Sequence, residues 1–483
     1  MTGTKVTTST QNGASNESAN YSGQVMMVGL TERGPTNRRS LRSLTEYVNI
    51  YGGRLSYSSL YDQLATFFGE GGSRAVIARI VGPAATKGTL TLADNESGSP
   101  NSTLRVDASG AGNWSEDVDI QIATGTQAGT YKVIVTYKDI RVQMVDNLIT
   151  PADAVQAFSN SNWVTFSDLG SPSLFPVNQP GTLAATPLSA GNDDRANVTD
   201  SIAVNALDQF DSDLGSGAVC IPGRTGSTIF NGIDAHCRIS NRRVGLLADA
   251  WEADIETLLT SASDLDSEFL GLFTPWVRVK SPSGVAVISP EGYVAAMRAR
   301  AHAQVGPWRT PMGNIAVSTT LLGLDQIYTP GEIDDLNEGK VSPIKFSRST
   351  YRLYGWRSLS VDAENYFSLK DRDLLNFLVH EGEGILELAV GETIDSKGNL
   401  AAQIKGMLVG LVDPIAQSGG LYAQLNEEGK EVSPAYRVIT DDTVNPPEQL
   451  AQNIIAASVY VRVSPFANSV LLNFIKVGVL SGM

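Results

Sequence analysis

The sequence is poor in charged residues and in the residue types that build redox, metal and catalytic sites. Of its 483 residues, 18% are Asp, Glu, Lys or Arg, two are Cys and three are His. Two cysteines exclude a disulfide framework, and Cys220 and Cys237 are predicted to be buried free thiols. No run of about 18 apolar residues occurs, so no transmembrane helix is predicted. Residues 1–20 are polar and do not resemble a secretory signal.

Among the charged residues, acidic side chains outnumber basic ones. With 36 Lys and Arg against 51 Asp and Glu, the formal net charge is −15. Nucleic-acid phosphates and anionic membrane surfaces are bound through basic residues, so both classes of partner are disfavoured. The balance is uneven along the chain, because residues 1–90 carry nine basic and five acidic residues. Arg38 and Arg39 lie in this basic part, and we predict that they contact acidic surfaces of neighbouring copies.

Motifs for catalysis and ligand binding are incomplete. His380-Glu381 begins a zinc-protease pattern, but position 384 is Gly where the second His is required. The loop from Asp211 resembles a calcium loop, but its twelfth position is Pro222 instead of Glu. The sequence has no phosphate-binding loop and no nucleophile elbow. We therefore expect no enzymatic activity, no cofactor and no metal.

What the chain does contain is apolar patterning for about three domains. Residues 25–81 read as strand, two helices and strand, which predicts a parallel two-sided sheet. Residues 84–187 alternate apolar and polar positions between turn residues, which predicts a β-sandwich insertion that returns through a Gly/Pro-rich linker at 170–187. The α/β pattern resumes over 200–351. Residues 363–425 are predicted to be mostly helical, with a break at Pro414.

The C-terminal part ends in two strand patterns, 458–464 and 470–480. An apolar strand at an open edge is an aggregation hazard. It either closes the sheet of its own chain or is donated to a neighbour by strand addition. Donation head-to-tail builds open helical assemblies. The residues predicted to take part in this exchange are Val459, Val461, Val463, Val470, Leu472, Phe474, Ile475 and Val477.

Several segments in order along the chain resemble the sheath proteins of contractile phage tails and related injection particles. The N-terminal matches are 28–35, 43–53 and 64–81, and Leu188–Asp193 resembles the family's "LSGG-x-D" segment. The most specific match is 290–314, which is similar to the family's "P-S-G-x-x-A-G-x-x-A-R-x-D-x-x-x-G-x-W-x-A-P-A-N" motif, with His302 in place of its Asp. Within it, a structural turn is predicted from Gly306, Pro307, Trp308, Pro311 and Asn314.

The resemblance implies a fold of class α/β plus β. A subtilisin-like α/β domain would carry an inserted β-sandwich, and an α+β inner domain would use both chain termini for strand exchange between subunits. The implied division is an arm at 1–22, the α/β domain at 23–83 and 188–350, the sandwich at 84–187, the inner domain at 351–457 and an exchange arm at 458–483.

The resemblance also implies a function. The chain would be a structural subunit that polymerises helically, in stacked six-fold rings, around a tail tube and contracts to drive that tube through the host envelope for genome ejection. Its partners would be other copies of itself, the tail tube protein, and the baseplate and tail terminator proteins. It would lie in the virion tail after assembly in the host cytoplasm. A headless bacteriocin or injection particle is the alternative, and a subtilisin-fold hydrolase is a disfavoured alternative of another class.

Overall fold

The computed structural model describes residues 22–468, so the predicted N-terminal arm and the predicted strand 470–480 lie outside the described residues. The chain forms two compact units. The first comprises the described residues up to Pro307 together with Pro311–Phe377, and the second comprises Trp308–Thr310 with the described residues from Leu378 onward. The six-part division implied by the resemblance stays a prediction.

The described residues alternate helices and strands along most of their length. The helices are α1 Leu44–Tyr51, α2 Leu60–Gly69, α3 Pro151–Ala157, α4 Asp200–Asn205, α5 Ser227–Ser240, α6 Ile255–Ser263, α7 Glu291–Gln304, α8 Pro330–Glu338, α9 Leu369–Glu387, α10 Asn399–Gln417 and α11 Pro447–Leu450. The strands are β1 Val25–Gly29, β2 Arg39–Leu41, β3 Ala75–Arg79, β4 Thr89–Ala93, β5 Ser102–Ala108, β6 Val118–Thr124, β7 Tyr131–Tyr137, β8 Ile140–Leu148, β9 Val164–Asp168, β10 Leu183–Pro187, β11 Gly217–Cys220, β12 Arg243–Ala248, β13 Leu270–Thr274, β14 Val277–Ser281, β15 Gly284–Ile288, β16 Leu321–Leu324, β17 Val341–Ser347, β18 Thr350–Leu353, β19 Gln424–Leu425, β20 Glu431–Ser433, β21 Tyr436–Ile439 and β22 Ser458–Val461.

An eight-stranded sheet forms the centre of the first unit, in the order β18-β17-β13-β12-β11-β1-β3-β2. The six inner strands are parallel, and the two edge strands β2 and β18 are antiparallel to their neighbours. Side chains of a strand point alternately to the two faces. Val25 and Met27 accordingly belong to one hydrophobic cluster, and Met26 and Val28 to the other. The sheet is therefore covered on both faces, as the continuous apolar strands predict.

Local sequence preferences explain the first helices. The Ser43 hydroxyl accepts a hydrogen bond from the Glu46 backbone N–H at 3.2 Å, which caps α1. The helix after it, α2, buries Leu60, Leu64 and Phe67 on one face. Strand β1 precedes these helices in the sequence and β3 follows them, and the two strands pair in parallel. The predicted strand–helix–strand unit at 25–81 is confirmed.

The segment 84–187 forms two antiparallel sheets, β4-β5-β9 and β10-β6-β7-β8, which share one hydrophobic core. This is the arrangement that alternating strands predict. The predicted linker at 170–187 is wrong for its last residues, since 183–187 form strand β10 and pair with β6. The sequence Leu-Ala-Ala-Thr-Pro lacks the alternation by which the other strands are recognised, and its place beside β6 comes from tertiary pairing.

The second unit contains most of the predicted C-terminal helical region, and its helix α10 corrects one expectation. The predicted break at Pro414 is wrong, because α10 continues through it to Gln417. A helix accepts the backbone angle of proline, although it loses one hydrogen bond there. The buried side chains of Leu408, Val412 and Ile415 continue the apolar face across the position. Packing of that face outweighs the missing bond.

Candidate functional site

Helix α7 carries the most specific sequence motif and is buried nearly all round. Eleven of its 14 residues are buried, including Glu291, Arg298 and His302. A helix buried on every side needs small residues where neighbours approach closely. Around Gly292 that need is visible, because a Cβ there would lie 2.6 Å from the backbone oxygen of Gln63 on α2. The motif therefore specifies the packing of a central helix.

An ion pair near the C-terminal end of α7 joins three parts of the first unit. The Arg298 guanidinium donates to one oxygen of Asp373 on α9, at 2.9 Å from Nε and 2.7 Å from Nη2. Its Nη1 donates to the backbone oxygen of Ser22, the first described residue. Burial alone would raise the pKa of Asp373, but Arg298 and His302 together outweigh it and the pKa is lowered. The charged pair thus links Ser22 to α7 and α9.

His302 lies one turn from this pair, in the position where the resembled family has Asp. Its Nε2 is 3.7 Å from the second Asp373 oxygen. Burial and the nearby Arg298 both lower the pKa of His302, so the imidazole is neutral at pH 7. A carboxylate at this position would stand beside Asp373, so the neutral ring avoids a buried like-charge pair.

A second buried charge, Glu70, closes the C-terminal end of α2. Its carboxylate accepts hydrogen bonds from the backbone N–H groups of Thr319 and Thr320, at 2.9 and 2.8 Å. Arg300 of α7 donates to the same carboxylate at 3.0 Å and to the Glu70 backbone oxygen. Burial alone would raise the pKa of Glu70, but hydrogen bonds from the Ser318 and Thr320 hydroxyls and from the two backbone N–H groups together outweigh it, and the pKa is lowered. The Gly-rich segment after α2 is thus the end of that helix.

Glu291 occupies the N-terminal end of α7 and is fully buried. Its Oε1 accepts a hydrogen bond from the Gly223 backbone N–H at 3.4 Å. Burial raises the pKa of Glu291 to about 7, against the opposing effect of hydrogen bonds from Ser289 and Gly223. The two ends of α7 therefore carry buried groups, Glu291 and His302, whose charged forms are both disfavoured by the protein interior.

The predicted turn after α7 is divided between the two units. Gly306 has φ +141°, a conformation that favours glycine, and Pro307 and Pro311 are buried. Trp308 is half-buried in the second unit, where a Cβ on Gly420 would come within 2.7 Å of its ring. Asn314 is exposed, and its Oδ1 accepts a hydrogen bond from Arg352 at 2.6 Å. Five residues close together in the sequence therefore pack in two different units.

Two arginines of the N-terminal motif join the sandwich to the eight-stranded sheet. The Arg33 guanidinium donates to the Val48 and Asn49 carbonyls at the end of α1 and lies 4.4 Å from the ring centre of Trp163. Arg79, at the end of β3, donates to the Ala111 carbonyl at 2.7 Å. Both side chains are buried at their contacts. The sandwich is therefore held to the sheet by desolvated, multiply bonded arginines.

The second unit presents short strands with exposed side chains. Residues 458–461 form β22 and pair antiparallel with β21 of the same chain, and Val463 bridges to Leu421. Within residues 22–468, each of the two strands has one strand neighbour in this sheet. Of the predicted exchange residues, Val459, Val461 and Val463 lie here, whereas Val470, Leu472, Phe474, Ile475 and Val477 lie outside the described residues.

The predicted charge contacts, Arg38 and Arg39, lie at the β2 edge of the eight-stranded sheet. Arg38 forms an ion pair with Asp211 of its own chain and donates to the Gln209 carbonyl at 2.8 Å. Arg39 is the first residue of β2 and is half-buried. Their contact with another copy stays a prediction.

The histidine and cysteine side chains that follow, which are of types common in catalysis, contact other groups or are buried. His236 lies 2.8 Å from Arg243, and burial with that charge lowers its pKa to about 4. Cys220 and Cys237 are buried free thiols, as predicted. Within the described part of the chain, no group of three or more His, Cys, Asp and Glu side chains could hold a metal ion. None of its helices combines the length and apolarity needed to cross a bilayer.

Buried ion pairs such as Arg298–Asp373 and Arg300–Glu70 cannot be predicted from the sequence. The partners are separated by 75 and 230 residues, and no local pattern links them. The available indication is the presence of charged residues in a helix that is otherwise rich in alanine. Such a helix is buried only if its charges find partners on other elements.

Comparison with known proteins identifies the fold. No protein-family model matches the sequence, and no curated protein sequence is significantly similar to it. The structure is similar to the sheath in contracted state of an extracellular contractile injection system, PVC, with a TM-score of 0.57, 14% identity and coverage of 99% of this chain and 98% of that one.

Two further sheath structures are also similar to this fold. A sheath tail protein of Listeria innocua matches with a TM-score of 0.62, 12% identity and coverage of 87% of this chain and 89% of that one. The helical sheath in contracted state of the anti-feeding prophage matches with a TM-score of 0.55, 11% identity and coverage of 98% of both chains. The chain therefore has the mixed α/β fold of contractile sheath proteins, as the sequence resemblance implies.

Proposed function

We propose that this chain is the structural subunit of a contractile tail sheath. The observation that carries the proposal is the extent of the fold match. The alignments cover 98–99% of this chain and 98% of the length of two sheath chains, from the contracted PVC sheath and the contracted anti-feeding prophage sheath. Fold alone does not give function. Here the whole length of the chain is accounted for by proteins of one structural role.

In this proposal, copies polymerise helically around a tail tube, in stacked six-fold rings between a baseplate and a terminator protein. The useful work comes from a difference in contacts between two packings of rigid subunits. The buried links made by Arg33, Arg79 and Arg298 support rigidity of the first unit, since desolvated charges lose much energy if their partners move away. Contraction drives the tube through the host envelope for genome ejection, from a virion tail assembled in the host cytoplasm.

Strand exchange by the chain termini would keep neighbouring copies connected during contraction. The observation in support is the two-stranded sheet β21–β22, since two strands alone are marginally stable. A neighbour's strand from residues 470–480 would add to it. A variant that ends after Pro465 is expected to fold but to form no sheath. Normal sheaths from that variant, seen by electron microscopy, would refute strand donation by the C-terminal arm.

A headless injection particle is the second candidate, because two of the matched structures come from an extracellular injection system and an anti-feeding prophage. The subunit would act in the same way, without genome ejection. Neighbouring genes for a capsid and a terminase would favour the phage tail.

We assign the chain no catalytic role, and the contact of His236 with Arg243 supports this. Labelling by a fluorophosphonate probe would count against it. The primary test is negative-stain microscopy of the purified protein. Striated hollow cylinders are expected, and monodisperse particles under all conditions of salt and concentration would contradict the proposal.

A further inference from the structure

A loop of the sandwich presents two apolar side chains to solvent. Leu174 and Phe175 are 84% and 55% exposed, and they lie in the segment 170–178, here called the apolar loop. Burying a leucine or phenylalanine side chain is favourable by several times the thermal energy, so an exposed adjacent pair marks a contact surface when its backbone is fixed.

The backbone of the apolar loop is fixed by a buried carboxylate. Asp94 accepts hydrogen bonds from the Ser173 hydroxyl at 2.8 Å and from the Asn101 backbone N–H at 2.8 Å, and the Ser171 hydroxyl donates to it as well. At the other end of the loop, the Thr103 hydroxyl donates to the Asn178 carbonyl at 2.6 Å. A loop ordered before binding loses little entropy when it docks.

A groove of matching character lies at the far side of the eight-stranded sheet. It has a volume of 370 Å³ and lies between α8 and the β17–β18 hairpin. Its apolar lining includes Leu324, Ile327, Tyr328, Pro330, Ile344 and Phe346. The side chains of Ile327 and Phe346 are 84% and 57% exposed, so residues 22–468 leave the groove open.

The charges beside the apolar loop and the groove favour one orientation of the loop in the groove. Residues 340–352 of the hairpin contain four basic residues and no acidic one, whereas α8 contributes Asp334 to the opposite wall. The apolar loop is flanked by Glu96 and Asp168, both exposed, and residues 88–104 contain no Lys or Arg. An acidic flank fits against the basic hairpin and is repelled by α8.

From these observations we infer that the apolar loop of one copy docks in the α8–hairpin groove of a second copy. The inference rests on the proposed function and deepens it by naming a contact between subunits. Loop and groove are different surfaces of one chain, so the contact is head-to-tail, and a head-to-tail contact that does not close generates a helical polymer. In the sheet, β17 lies five strands from β3, from which the sandwich departs.

Cysteine cross-linking tests the contact in the polymer. The double variant Leu174→Cys/Ile327→Cys is expected to give a ladder of multimers on non-reducing electrophoresis after mild oxidation. A mixture of the two single variants is expected to give dimers only, because each copy then carries half of the contact. The native Cys220 and Cys237 are buried and do not compete. The matched control is Leu174→Cys/Ile239→Cys, since Ile239 is 86% exposed on α5.

A ladder no stronger than that of the control would overturn the inference. If Ile327→Cys cross-links to Phe474→Cys and not to Leu174→Cys, the inference is also overturned, because the groove would then receive the C-terminal segment. If the wild-type protein polymerises but the double variant gives no 174–327 cross-link, this contact alone is refuted. If the wild-type protein never polymerises, the proposed function is refuted.

A second variant measures the strength of the contact. Leu174→Asp is expected to raise the critical concentration for polymerisation by about tenfold or more, because it places a charge in an apolar groove. Ile239→Asp is expected to leave it unchanged. Circular dichroism would verify that both variants fold. An unchanged critical concentration for Leu174→Asp would contradict the inference.

Discussion

The inner strands of the eight-stranded sheet and the short strands of the second unit differ in how far the chain itself covers them. Every residue of β3, β11, β12 and β13 is buried. In β19 to β22, in contrast, Val438 alone is buried among the described strand residues. The first region is complete within one chain. The second presents the kind of surface that neighbouring copies would cover, which agrees with the proposed sheath.

The largest expected difference between the regions concerns ion pairs. Asp373→Ala removes the counter-ion of buried Arg298 and is expected to cost about 3–5 kcal/mol of unfolding free energy, because an uncompensated charge is left in the interior. Urea unfolding measures this cost. The control is Glu428→Ala in the second unit, whose pair with Lys430 is exposed on both sides and contributes less than about 1 kcal/mol. Equal costs for the two variants would refute the contrast.

A pH-dependent effect is expected at the N-terminal end of α7. Because burial raises the pKa of Glu291 from 4.5 to about 7, its contribution to stability is full below about pH 4.5 and is lost as the pH rises through 7. Glu291→Gln is therefore expected to gain stability relative to wild type between pH 5 and pH 8, by up to about 3 kcal/mol.

The control for this measurement is Glu332→Gln, at an exposed helix cap where hydrogen bonds from Thr329 lower the carboxyl pKa. Because the pKa of Glu332 is lowered, its carboxyl gains no proton on folding between pH 5 and pH 8, and its variant should show nearly the same difference from wild type at both pH values. A Glu291→Gln variant with no pH-dependent gain would contradict the assignment of a buried carboxyl with a raised pKa.

The smallest expected effects come from glycines. Gly292→Ala in α7 is expected to cost about 1–3 kcal/mol, since its Cβ would meet the Gln63 backbone, which cannot move aside. Gly410→Ala in α10 meets open space and is expected to stabilise the monomer by about 0.5–1 kcal/mol through helix propensity. Thermal unfolding of the two variants should shift in opposite directions. A shift of the same sign would show that the two helices are packed alike.

The same two regions show which structural features can be predicted from the sequence. Continuous apolar strands such as 75–79 and capping residues such as Ser43 are local features, and their structure follows from side-chain chemistry within a few residues. The break expected at Pro414 was a local rule that tertiary packing of α10 overrides. The links from Arg298 to Asp373 and from Arg300 to Glu70 depend on how distant elements meet, which one sequence does not encode in any local pattern.

Amide hydrogen exchange, compared between monomer and polymer, tests most directly whether the second unit is completed by other copies. Protection of β3 and β12 is expected to be high and equal in both states, because the chain alone buries these strands. Protection of β21 and β22 is expected to be low in the monomer and to rise by about tenfold or more on polymerisation. Equal protection of β21 and β22 in monomer and polymer would contradict the account.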